Sequence, residues 1–447
     1  MRYEEFKNLV VQAAEKAGLT DYELYYSASE STEIETFRQE VDKFSSSAEG
    51  GVCFRALVNG QMGYASTEDL SEEEAEAIVA RAQENAAVLE SAEEQFLGEA
   101  GGEYETFEKK EYPLPETDAM IKAALHGQEL AYAADPRVTD GTSTVVMRMK
   151  QSVAIFNSRG LDLAAENQAS LCYIAAVVKD GEEMNDEYKI KAGPIGEWKQ
   201  EELAEKAVKA ALAKLGGKVA PTGSYPVVFA PDAMSALLMT FSPAFSAEAA
   251  QKGLSPLVGK EGTKIASDCV TLVDDPFHKD SLMPMPFDAE GTPTRKKNVI
   301  ENGTLTTLLH NLKTAKVAGV PSTGNASKRG YAGSVQISPF SFVLAPGEMT
   351  EEELLAKAGN GVYIDTLNGT HAGADPISGD FSLQSLGFMI EDGKKTRPVK
   401  DFTVAGNFFD LLQHVEAAAD NAEMESFGMT NFGSPSVLVS GLSIAGE

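Results

Sequence analysis

The spacing of apolar residues changes period along this chain, and that change dictates a mixture of helices and sheets. Over Tyr3 to Ala17, the residues Phe6, Leu9, Val10, Ala13 and Ala17 recur at helical spacing and Gly18 supplies a stop. Three β-like runs follow, Tyr22 to Ser29, Ile34 to Phe44 and Val52 to Val58. Asn59-Gly60 turns the last of them into Gln61 to Ser66, since that pair tolerates the positive φ of a tight hairpin. Ser71 with Glu74 has the spacing of a capping box and opens a long acidic helix reaching about Leu89.

Between Ser91 and Glu116 the chain is rich in Glu and Gly with little periodicity, so a solvated surface connection is expected, leading to a helix over Thr117 to Ala134. Strands return from Arg137 to Ile190, with Asn157-Ser158-Arg159-Gly160 and Lys179-Asp180-Gly181 as turns. An amphipathic helix over Glu201 to Leu215 ends at Gly216-Gly217, and the KVAPTGS that follows marks the main junction. The second half opens with a strand, Tyr225 to Ala230, and a helix from about Asp232, then becomes strand-rich with many glycines. Thr350 caps a surface helix over Thr350 to Ala358, whose Glu351, Glu352 and Glu353 suit the positive end of its dipole. The expected fold class is α+β in two domains: residues 1–217 with strands and long helices, and a β-rich domain over 218–447.

The charge pattern narrows the function. With 38 basic and 68 acidic residues the formal charge is −30, which repels phosphate backbones and anionic membrane surfaces, so no direct nucleic-acid or membrane partner is expected. Cys53, Cys172 and Cys269 are scattered, odd in number and without a CxxC, which suits a reducing compartment, and Cys53 and Cys172 sit in apolar runs as small core residues. The first residues carry acids early and lack the apolar core of a secretory signal, and no run approaches the roughly 20 apolar residues of a membrane span. A cytoplasmic location is expected.

Few motifs carry chemistry. In FDAEG, Asp288 and Glu290 stand two residues apart; by chemistry alone this is a turn exposing both carboxylates, since a hard-metal site needs several more oxygens. Arg295, Lys296 and Lys297 read as a charged strand edge that discourages stray pairing. In DPISGDFSLQS, Pro376 and Gly379 set a turn, and Phe381, Leu383 and Ser385 alternate with Ser382, Gln384 and Leu386 as a strand does. Such a strand either offers its backbone to an extended peptide or is already paired on both edges. His371, in GTHAGAD, is the one histidine suited to proton transfer or hydrogen bonding, and His278 beside its acids offers at most a weak metal site. GKEGTK and STGNASKRG lack the order that cradles phosphates, no GxSxG occurs, and Cys269 has no flanking base.

Four segments, FDAEGTPTRKKNVIENGTL (Phe287 to Leu305), PSTGNASKRG (Pro321 to Gly330), NGTHAGADPISGDFSLQSLGF (Asn368 to Phe388) and VAGNFFDLL (Val404 to Leu412), together resemble the TldD/PmbA family, once called modulators of DNA gyrase. FRALVNGQMGYASTEDLS (Phe54 to Ser71) extends the resemblance into the first half. In the TldD branch a His-Glu-x-x-x-His helix and a late cysteine hold zinc, whereas the PmbA (TldE) branch lacks that set. Here no HExxH or HExxxH occurs, the corresponding helix reads Leu238, Met239, Thr240, Phe241, Ser242 and Pro243, and GMTNFGSPS (Gly428 to Ser436) has no cysteine. The chain is identified as a member of the PmbA branch.

That resemblance implies a subunit of a cytosolic peptidase complex with no catalytic residues and no metal of its own. Zinc is expected in a TldD-like partner, which would activate water and polarise the peptide carbonyl. Family substrates include modified peptide antibiotics and a short-lived antitoxin. The residues expected to line a peptide groove are Ser378, Asp380, Ser382, His371, Asp288 and Glu290. The alternatives are a free-standing peptide-binding protein, an inert homodimer, and an enzyme with unconventional ligands gathered from Asp288, Glu290, His371 and Asp375.

Overall fold

The computed structural model describes all residues except 91–93, 95, 108–112 and 426–429. The first half is built on one antiparallel sheet of β1 (Tyr22–Phe37), β2 (Glu40–Val58), β3 (Gln61–Thr67), β4 (Ser143–Asn157), β5 (Asp162–Asp180) and β6 (Glu183–Ala192), in the order β3-β2-β1-β4-β5-β6. The three β-like runs expected before Val58 are two long strands. The polar span Ser29 to Thr32 has no apolar alternation, but β2 and β4 pair with it on both sides and satisfy its backbone. The hairpin between them turns on Arg38 and Gln39, at φ 50° and 60°, residue types that do not announce a turn. Asn59-Gly60 turns as expected, at φ 51° and 80°.

Alternation fixes what each face of this sheet meets. Leu24, Ile34, Phe54, Val146 and Ile174 point to one face, under α1 (Tyr3–Lys16), α2 (Glu72–Ala87), α3 (Thr117–Ala134) and α4 (Gln200–Ala213). α3 has the expected bounds, and Gly18 and Gly216 follow their helices with positive φ. Ser71 Oγ accepts the Glu74 N–H, but Glu74 turns its carboxylate to Arg81 rather than back to the cap, so half of the expected box forms. The opposite face carries Glu23, Tyr25, Cys53 and Arg55, with Glu23 opposite Arg55 and Tyr25 opposite Cys53 in register. It packs on loops from the second half through Met285, Phe287, Ala289, Ala326 and Phe340.

In the second half the strands Val437–Ala445, Gly223–Phe229, Gly361–Asn368, Asp380–Glu391 and Lys394–Asn407 follow one another in a sheet, and the last pairs again with the first. The sheet therefore closes on itself, which leaves those strands no free edge. A six-stranded sheet, including Leu272–Asp274, Lys297–Glu301 and Ser341–Leu344, flanks it, and the aromatic core between them is built on Phe241, Phe245, Phe342, Phe408 and Phe409. The RKK run is a correction to the sequence reading. Lys297 lies inside that sheet, paired to fully buried Asp274 at 3.0 Å, because Asp274 also takes the Phe340 N–H and Asn325 Nδ2 and needs a cation. The helix Glu351–Ala358 is likewise more than a surface element, since Glu351 receives Tyr363 OH, Ser436 Oγ and Lys395.

Ion pairs bind the halves together: Lys214 of α4 bridges Glu187 and Asp365 at 2.6 and 3.1 Å, and Lys400 reaches Glu183 at 2.7 Å. Among the described residues no helix is long and apolar enough to cross a membrane.

Candidate functional site

The loop Phe287 to Gly291 sits against the inward face of β1 and β2, and it does not expose its carboxylates. Asp288 and Glu290 are 2% and 4% exposed. Asp288 Oδ1 accepts the N–H groups of Glu290 and Thr292, and Oδ2 accepts that of Ala326, each at 2.9 Å, so the carboxylate is the hub that shapes the turn. Glu290 Oε2 accepts the Leu312 N–H at 2.8 Å. The expected exposed turn is thus replaced by a buried one, because the backbone donors of three separate segments converge on these two side chains. Burial pushes both carboxyls up and their mutual repulsion adds to it for Asp288, taking it to about 8, so near neutrality the pair titrates as a unit and keeps a proton.

A covering segment missed at the sequence level lies over this loop. Leu97 is buried, Gly98 packs so closely that a Cβ would stand 2.2 Å from the Glu290 carbonyl oxygen, and Tyr104 OH donates to Gly291 O at 2.9 Å. Residues 96–107 of the connection expected to be solvated are therefore packed in part, while 91–93, 95 and 108–112 lie outside the described residues, as do Gly428 and Met429 of the tail. The two glycines Gly98 and Gly102, each with no room for a side chain, were the available signal.

Between this loop, β1 to β3 and α2 lies a cavity of about 640 Å³, lined among others by Glu23, Cys53, Arg55, Arg81, Glu290 and Lys328. Arg55 Nε donates to Glu23 Oε1 at 2.8 Å, an ion pair buried on both sides. Arg81 is paired with Glu74. Lys328 is 9% exposed, with its ammonium 4.2 Å from the centre of the Tyr25 ring. Burial, with Arg55 nearby, pulls the Lys328 amine below its ordinary value, and burial pushes the Cys53 thiol up. Sequence reasoning assigned Cys53 to the core correctly but found no role for Glu23, Arg55 or Lys328, which come together only through strand register and a distant loop.

The other expected groove residues lie elsewhere. His371, Ser378, Asp380 and Ser382 are exposed on the closed sheet and the turn before it, and none lines the cavity at the 287–291 loop. Phe381, Leu383 and Ser385 are buried while Ser382 and Gln384 are exposed, as the alternation predicts. Strand Asp380–Glu391 is paired on both edges, and beyond its partner Gly361–Asn368 its open edge is met by Ala374 opposite Phe381. Asp380 Oδ1 takes Asn407 Nδ2 at 2.9 Å, and the Asp375 N–H donates to the Asp380 carbonyl at 2.8 Å. A peptide would meet side chains there, not a vacant backbone edge. Asp288, Glu290, His371 and Asp375 are not gathered, and no group of three or more His, Cys, Asp or Glu is placed to hold a metal among the described residues.

Zinc does not fit the helix to which the resemblance assigns it. In α5 (Pro231–Phe241), Leu238 and Phe241 are buried in the apolar core, Phe241 stacked on Phe408 at 4.7 Å, and Met239 is 52% exposed. Thr240 Oγ1 and Ser242 Oγ donate back to the carbonyls of Ala236 and Met239. None of these side chains presents a nitrogen, thiolate or carboxylate.

The fold and the sequence place the chain in a class of peptidase-related proteins. Sequence profiles described as PmbA/TldA metallopeptidase domain 1, central domain and C-terminal domain match residues 22–86, 111–215 and 222–446. The chain belongs to the PmbA/TldD metallopeptidase family. It is similar to a Thermotoga maritima structure described as a candidate modulator of a DNA gyrase, 31% identical with a TM-score of 0.90 over 99% of this chain and 100% of that one. TldE from Thermococcus kodakarensis is 26% identical, with a TM-score of 0.89 over 98% and 99%. A metalloprotease PmbA homologue of Haemophilus influenzae is 26% identical across 98% of this chain and 95% of its own length.

Proposed function

We propose that this chain is the non-catalytic subunit of a cytosolic TldD/TldE-type metallopeptidase complex, in which a zinc-bearing TldD-like chain performs the hydrolysis. The observation that carries the reading is α5: Leu238 and Phe241 are core packing, Thr240 and Ser242 spend their hydroxyls on the helix itself, and exposed Met239 offers only a thioether. The likeness to TldE along nearly the whole chain supports it. In the complex, this subunit supplies a wall of the chamber that admits unfolded peptides, and pseudo-symmetric pairing follows from a shared fold. His371 and Ser378, exposed just before the closed sheet's strand, and Asp380 and Ser382, exposed on it, would contribute side chains to that wall.

The test is to purify the chain alone and with a TldD-like chain of the same organism, and to measure bound zinc, complex formation by size exclusion, and cleavage of an unfolded peptide. Expected are no zinc above a buffer control in the single chain, a mixed complex, and chelator-sensitive cleavage by the mixture alone. About one tightly held zinc per isolated chain, or peptide binding with no cleavage gain on adding the partner, would overturn the assignment.

A further inference from the structure

Lys328 is a buried ammonium that lacks an anion. It lines the 640 Å³ cavity beside the 287–291 loop and rests on the Tyr25 ring, and among the described residues no carboxylate lies within ion-pair distance of it. A cation over an aromatic face recovers only part of what burying a lone charge costs. Three of the four acids that line the same cavity are engaged elsewhere. Glu23 receives Arg55, Glu248 receives Lys252 at 2.7 Å, and Glu290 receives the Leu312 N–H.

The charge pattern selects the ligand. Arg55 and Arg81 are already paired and Lys313, which also lines the cavity, has a partner of its own, so Lys328 is the cation left without one among the described residues of the lining, suited to a monoanion. Glu94 also lines the cavity, which disfavours a phosphate dianion and favours a ligand that carries an ammonium together with its carboxylate. Ala65, Phe96, Ala289 and Val335 supply apolar wall, and the volume lies in the range that encloses a small ligand. We propose that this cavity binds the α-carboxylate of a zwitterionic amino acid or short peptide, with Lys328 as its counter-ion and Glu94 serving the amino group. The lining residues named here are all this chain's own.

Calorimetric titration of the whole chain with alanine, trialanine, trialanine amide and inorganic phosphate tests this. Trialanine or alanine should bind saturably, whichever of them the cavity was built for, and the amide should be weaker by about tenfold or more. Lys328→Met should abolish the difference between acid and amide. Because that substitution could disturb folding, a second measurement uses the native chain: acetylation of Lys328 by acetic anhydride, followed by mass spectrometry, should be slowed by whichever of alanine and trialanine binds and not by trialanine amide. Equal affinity for acid and amide, preferential binding of phosphate, no saturable binding at millimolar concentration, or acetylation indifferent to both alanine and trialanine would each overturn the proposal.

Discussion

At the scale of single residues, the molecule places charge where water is scarce, and two consequences are measurable. Arg55 and Glu23 form a buried ion pair, so Arg55→Met leaves the Glu23 carboxylate uncompensated and should destabilise the fold by about 3–5 kcal/mol in urea unfolding. Replacing both by apolar residues should restore most of that loss. Asp288 and Glu290 titrate above the ordinary carboxylate range because burial and mutual repulsion disfavour the second charge. The unfolded chain then ionises first, so it binds fewer protons than the folded chain between the ordinary range and about pH 8, and the pair's contribution to stability falls as pH rises through that window. Glu290→Gln removes the repulsion. Its melting temperature relative to the native chain should rise steadily from pH 5 to pH 8, and a constant offset would refute the coupling.

At the scale of elements, most of what the sequence shows locally is what the structure builds. α3 keeps its bounds, α1 and α4 stop where glycine predicts, and Phe381 to Gln384 alternate in burial. These are properties of one segment and its own period. The failures share a different cause. The polar middle of β1 depends on neighbouring strands, the buried carboxylates of the 287–291 loop on donors 22 and 38 residues away, and the packed residues 96–107 on a loop 187 residues from Tyr104, and periodicity carries no trace of them. The candidate site was legible only as the acidic pair Asp288 and Glu290; Lys328 and Arg55 became visible through register and loop placement. Gly98 makes the dependence testable. Gly98→Ala places a methyl group against the Glu290 carbonyl, and it should cost about 1–3 kcal/mol and expose residues 96–107 to limited proteolysis.

At the scale of the whole molecule, a formal charge of −30 acts on the compact state through self-repulsion. Raising salt from about 20 to 200 mM shortens the Debye length from roughly 20 to 7 Å and should raise the melting temperature. A flat response would mean that the excess acids are spaced widely enough not to interact. The closed sheet has a consequence of another kind, in time. Its two seams join Gly223–Phe229 to Val437–Ala445 and the latter to Lys394–Asn407, so a strand made early must wait for one made roughly two hundred residues later. During synthesis the first half can fold on its own sheet while Gly223–Phe229 stays open on one side, and a ribosome stalled before residue 437 would carry an unsealed ring. The chain thus has a vulnerable interval between the two events, and chaperone capture of the nascent protein belongs in that interval.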